Sequence, residues 1–184
     1  MTSIKDRYAS AVNSSNLKSA PDTKWSDTDV LGAYGIADRR LSSGDDHFSK
    51  HPLAVPLERM FAGDSSAAST IVSILSGVIR GKAKALRINM TVTQATDMAK
   101  ATLGRFRAPA CRACSGHGFK IIKGTKTLGD SRCHPCNGTG KVQLEQLYRV
   151  EQRELVRWVM AQLEREANMA GPAAMKALAP SLNL

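Results

Sequence analysis

CRACSGHG (111–118) and CHPCNGTG (133–140) are two copies of one pattern, and they hold the chain's four cysteines, Cys111, Cys114, Cys133 and Cys136. Each copy reads C-x-x-C-x-G-x-G, and 18 residues separate the inner cysteines. A two-residue gap lets both sulfurs of a pair face one ion from a tight turn. Two such turns supply the four ligands of a closed tetrahedral Zn²⁺ shell. The glycines of the copies, Gly116, Gly118, Gly138 and Gly140, permit the positive φ that turns backbone N–H groups toward the thiolates. A closed shell leaves no position for water, so the pattern predicts one structural zinc per chain and no catalytic metal.

Two other uses of paired cysteines fit less well. Disulfides belong to oxidising compartments, whereas the first thirty residues carry Lys5, Asp6, Arg7 and Lys18 and no apolar signal-type run. A redox C-x-x-C needs a βαβ setting, and no such alternation is visible. His117 and His134 flank the cysteines and read as exposed loop residues, since four thiolates already complete the shell.

Charge surrounds this module unevenly. Residues 1–79 hold 8 Lys/Arg against 9 Asp/Glu, residues 80–141 hold 13 against 2, and residues 142–184 hold 5 against 5. The net +10 of the chain therefore comes from one third of it, which alone carries +11. Such a field attracts polyanions, so the sequence points to nucleic acid as the partner. Candidate contacts on the approach to the module are Lys82, Lys84, Arg87, Lys100, Arg105 and Arg107. Within it they are Arg112, Lys120, Lys123, Lys126, Arg132 and Lys141. The longest apolar stretch, IVSILSGVI (71–79), is too short to span a bilayer. No nucleophile–base set, phosphate loop or carboxylate pair stands out, so neither an enzyme nor a small-molecule substrate is expected.

The rest of the chain reads as mainly α: a helical domain with an inserted four-cysteine zinc-finger/ribbon module containing a short β-hairpin. Residues 1–24 lack apolar periodicity and predict a flexible tail. Residues 25–107 predict a helical region. Ser26-Asp27-Thr28-Asp29 announces its first helix, in which Gly32 and Gly35 suggest close packing or a short recognition element. Residues 42–56 read as loop, 57–63 as a short helix, and a further helix runs from about 65 to Arg80, where Gly81 breaks or kinks it. A third pattern extends over 82–107, with a weak point near 89–93. FKIIKGTKTLGDSR (119–132) reads as the hairpin of the 108–142 module. The strongest helical pattern covers 143–167, with Leu144, Leu147, Tyr148, Leu155, Trp158, Val159 and Leu163 on its buried face. This 143–184 region is expected to pack on the N-terminal helices, with 173–179 adding a further turn or two.

Three stretches resemble the Q antitermination proteins of lambdoid bacteriophages, the lambda type in particular. SDTDVLGAYGIA (26–37) is similar to that family's N-terminal helix, and GKAKAL (81–86) leading to ACRACSGHG (110–118) is similar to its approach to the zinc module. The paired CxxCxGxG knuckles match its zinc finger, and LEREANMAGPAAMKAL (163–178) is loosely similar to its last helix. The resemblance implies a regulator that binds double-stranded DNA at a phage promoter, engages bacterial RNA polymerase with its sigma factor, and makes it read through terminators in the host cytoplasm. Its zinc ligands carry over to Cys111, Cys114, Cys133 and Cys136. The stretch between the second knuckle and the last helices is shorter here, so no DNA-reading residue carries over from it. CxxCxGxG also marks the zinc domain of Hsp40 co-chaperones, but that domain has four repeats and two ions. A generic zinc-bearing DNA-binding regulator shares every feature except the resemblance.

Overall fold

A computed structural model describes residues 8, 10–14, 26–43, 51–122, 124, 125 and 127–182. It is mainly helical, with a small two-stranded antiparallel sheet, as the sequence predicts. The helices are α1 (Asp27–Ser43), α2 (Ala54–Phe61), α3 (Ala67–Ala85), α4 (Val92–Arg107), α5 (Val150–Ala167) and α6 (Ala170–Leu182). The strands β1 (Phe119–Ile121) and β2 (Leu128–Arg132) lie between α4 and α5. The chain divides into two compact units, Met1–Leu75 with Gln162–Leu184, and Ser76–Ala161. The cysteine module shares its unit with α4.

In the first unit, α1 starts where its sequence says it should. The Ser26 hydroxyl accepts from the Asp29 N–H at 3.3 Å, and the Asp29 carboxylate accepts from the Ser26 N–H at 2.8 Å. This reciprocal cap satisfies donors that the first helical turn leaves free. The Ser26 backbone N–H, and then its hydroxyl, hold the Asp29 carboxyl below the usual range. Val30, Ala33, Tyr34, Ala37 and Leu41 form the buried stripe of α1 and pack with Ala170, Ala173 and Ala174 of α6. Alanines on both sides let the two helices approach closely. Gly32 and Gly35 are exposed with open space beside them, so neither is closely packed.

Residues 8 and 10–14 depart from the flexible tail expected over 1–24. Tyr8 and Ala11 are buried in this same core, the Tyr8 ring stacks on Tyr34 with centroids 3.9 Å apart, and the Asn13 amide donates to Ala62 O. Two apolar side chains with a stacked ring suffice to hold a segment whose sequence lacks periodicity. The rest of the expected tail, apart from these residues, lies outside the described residues. The loop expected over 42–56 is also shorter. Helix α1 continues through Ser43, and α2 begins at Ala54. Leu53, the N-cap of α2, has no capping side chain; the buried Glu166 carboxylate accepts its N–H at 2.9 Å instead. His51 Nδ1 at 3.0 Å and the Gln162 amide at 2.9 Å also meet that carboxylate, so a buried charge is fully partnered.

In α3 the buried side chains Ala67, Ile71, Leu75, Ile79 and Ala83 recur every fourth residue. Gly81 does not break the helix, which runs on to Ala85. An exposed glycine costs about 1 kcal/mol relative to alanine, too little to end a helix with a continuous buried stripe. The stop comes at Arg87. Its N–H donates to Lys84 O at 3.1 Å, the Ile88 N–H donates to Ala83 O at 2.9 Å, and Arg87 has φ +57°. This is a Schellman cap with arginine in the left-handed position that glycine usually takes. Arg87→Gly is expected to stabilise the fold by about 1 kcal/mol, read as a higher urea midpoint at constant m-value. An unchanged or lower midpoint would mean that the arginine side chain offsets the strain.

The second unit buries Ile79, Ala83, Ala95, Met98, Ala99, Leu103, Val156 and Val159. The weak point read near 89–93 is a real break. Thr91 begins α4 with a capping box, its hydroxyl accepting from Gln94 N–H at 3.2 Å while Gln94 Oε1 accepts from Thr91 N–H at 3.0 Å. The helix expected from 143 starts only at Val150, and Leu144–Leu147 form a single 3-10 turn. Leu147 is 75% exposed, not buried as its spacing suggested. Bonds to the module capture this stretch first: Val142 N–H donates to Pro109 O at 3.1 Å, and the Gln143 amide donates to Cys136 O at 3.0 Å.

Candidate metal centre

The four cysteine sulfurs lie within 4.8 Å of one another, and all four residues are buried. Cys111 Sγ is 4.0 Å from Cys133 Sγ, and Cys114 Sγ is 3.7 Å from Cys136 Sγ. A disulfide needs about 2.05 Å, so these are free thiols brought together without bonding. A tetrahedral ion with metal–sulfur bonds of about 2.3 Å has sulfur–sulfur edges of about 3.8 Å. The cluster therefore has the donor chemistry and the spacing to hold one metal ion. Its members come from both knuckles, as the 18-residue separation of the pairs requires.

The two knuckles are conformational copies. Ser115 and Asn137 have φ +50° and +49°, and the two glycines after each have φ between +70° and +85°. In the first knuckle Gly116 N–H donates to Cys111 O and His117 N–H to Cys114 O; in the second, Gly138 N–H donates to Cys133 O and Thr139 N–H to Cys136 O. The copies also bind each other reciprocally. Cys111 N–H donates to Gly140 O, and Cys133 N–H donates to Gly118 O, both at 2.8 Å. Close approach at these crossings is why the last glycine of each repeat is needed. A Cβ on Gly118 would overlap Gly138 O, and one on Gly140 would overlap Gly116 O.

Backbone N–H groups favour a sulfur anion at Cys136. Gly118 N–H points at Cys114 Sγ from 3.2 Å. Burial opposes ionisation of Cys136, yet the Gly140 N–H, the neighbouring thiols and the Gly138 N–H outweigh it and lower its pKa. Burial raises the Cys133 thiol. An ion would supply the positive charge that lets all four ionise together. His117 and His134 are exposed, as expected for residues outside the donor set.

The structure sorts the basic candidates. Lys84, Arg87, Lys100, Arg107, Arg112, Lys120, Arg132 and Lys141 are exposed. Arg105 is half-buried, and its Nε donates to Val142 O at 2.7 Å, bracing the end of α4 against the exit of the module. Lys82 is half-buried with Nζ 5.2 Å from the centroid of the Trp158 ring, a cation–π contact. These two act within the fold. Lys123 and Lys126 lie outside the described residues. Arg80 is an exposed cation that motif reading passed over; it stands four residues before Lys84 on the same face of α3, and that i, i+4 spacing was the available signal. Arg80 and Lys84 line a groove of about 470 Å³ with Asn89.

The chain matches no protein-family model, no curated protein and no solved structure. Among the described residues, no helix is long and apolar enough to cross a membrane.

Proposed function

We propose that the chain is a phage transcription antitermination factor. On this reading it binds promoter DNA and bacterial RNA polymerase with its sigma factor, and makes the polymerase read through terminators in the host cytoplasm. It acts by binding and not by catalysis. The ion is a structural Zn²⁺, which four thiolates select by softness and geometry. The observation that carries the reading is a rigid four-cysteine centre embedded in the one strongly basic third of the chain. With the ion and four thiolates adding a net −2, residues 80–141 keep about +9. The exposed cations Arg80, Lys84, Lys100 and Arg107 are the candidates to meet phosphates, and the resemblance of the knuckles and the first helix to the Q proteins supports the polymerase as partner.

Counterion release sets the expected DNA signature. Binding to the cognate late promoter should fall roughly a thousandfold between about 50 and 200 mM salt, and Lys84→Ala or Lys100→Ala should each reduce the salt slope by about 1. Salt-independent binding would overturn the DNA half of the proposal. Run-off transcription with purified bacterial RNA polymerase, the cognate promoter and a downstream terminator tests the whole. Read-through is expected. DNA binding without read-through would leave a zinc-bearing DNA-binding regulator, and capture of unfolded protein with neither would favour the co-chaperone reading.

A further inference from the structure

Phe119, Ile121, Ile122 and Leu128 are 39–49% exposed; three of them sit in β1 and β2, and Ile122 directly follows β1 on the same ribbon. They stand outside the module's hydrophobic cluster, which among the described residues consists of the four cysteines. Hairpin stability accounts for part of them. Ile121 and Leu128 are cross-strand partners, and Ile122 lies beside Gly129. Phe119, however, faces Arg132. A ribbon pinned at its base by a metal centre would be served as well by threonines, which keep β propensity without exposing apolar surface. The same segment, 119–132, carries Lys120, Lys123, Lys126 and Arg132 against Asp130 alone, a net charge of +3.

We propose that this ribbon is a docking surface for a protein, and that its occupant is an acidic surface with an apolar pocket. Charge complementarity selects the acidic partner, and the apolar side chains supply the area that desolvates on contact. Nucleic acid fits less well. Single strands are held by stacking on aromatic rings, and three of the four apolar side chains are aliphatic. Duplex phosphates need only the cations. The inference rests on the protein-binding half of the function proposed above, and assigns that half to the ribbon.

The test uses the full chain, purified bacterial RNA polymerase and the cognate promoter template. Phe119→Thr/Ile122→Thr keeps strand formers at both sites, and Lys120→Glu reverses one exposed charge. Each variant is expected to retain one metal per chain; the double variant, which alters no charge, should bind DNA within about twofold of the parent at fixed salt, and Lys120→Glu, a change of two charge units, is read on polymerase binding. Each should bind polymerase about tenfold more weakly or worse, and lose read-through in proportion. Unchanged polymerase binding in the metal-loaded variants would overturn the docking surface. So would a loss of DNA affinity in the double variant with polymerase binding intact, which would make the ribbon a nucleic-acid element. If the double variant loses its metal, Lys120→Glu decides alone. A parent chain that neither binds polymerase nor gives read-through overturns the functional reading itself, a different result from a parent that works and a variant that works equally well.

Discussion

Cys114→Ser is expected to abolish stoichiometric metal binding and unfold the module, with the helices α1 and α6 remaining packed. Among the described residues the module's hydrophobic cluster is the four cysteines, so without an ion little apolar core is left to hold it. Binding of a structural zinc contributes about 10–16 kcal/mol in small zinc peptides, more than a hairpin of three- and five-residue strands can supply. The core of Tyr8, Val30, Tyr34, Leu41 and Ala174 lies in the other compact unit. Metal analysis should return one zinc per parent chain and none for the variant. Amide exchange should lose protection at Cys111, Cys133, Gly116 and Gly138, whose N–H groups make the knuckle bonds. Circular dichroism should keep most of its helical signal. Protected knuckle amides in the metal-free protein would refute this account, as would two ions per chain.

Gly118→Ala and Gly140→Ala should come next in severity. Both positions combine positive φ, +80° and +70°, with a carbonyl of the other knuckle where the new methyl would stand. The obstacle is backbone and cannot swing away as a side-chain tip would. Left-handed strain and overpacking together should cost about 3 kcal/mol or more. Because metal binding and folding are one equilibrium here, the cost should appear as roughly a hundredfold loss of zinc affinity in chelator competition. Gly124→Ala is the control. It has φ +81° but open space around it, so it should lose only about 1 kcal/mol and hold its metal. Equal affinities for Gly118→Ala and Gly124→Ala would show that the knuckles do not depend on their close crossing.

The misreadings of the chain share a cause. Leu147 has helical spacing with its neighbours, but the bonds of Val142 and Gln143 to the module hold that stretch in a 3-10 turn. Gly81 looks like a break, but the stripe through Ile79 and Ala83 carries α3 past it to the cap at Arg87. Tyr8 stands in a segment without periodicity and finds its reason in the Tyr34 ring. Arg105 counts as a free cation in the sequence and is tied to Val142 O in the fold. In each case a contact distant along the chain outweighs a local preference of about 1 kcal/mol.

The sequence by itself determined the four cysteines that could hold a metal ion, the two turns that present them, the hairpin between them and the basic third that contains them. These are local features: ligand spacing, glycine positions and charge counts need no knowledge of distant contacts. Only the tertiary structure decided that the knuckles interlock through Gly118 and Gly140. It likewise decided that a buried Glu166 caps α2, which cations stay free, and that the ribbon's apolar side chains face water. Those depend on which backbone groups and surfaces meet after folding, and packing energy summed over many residues, not local propensity, sets that outcome.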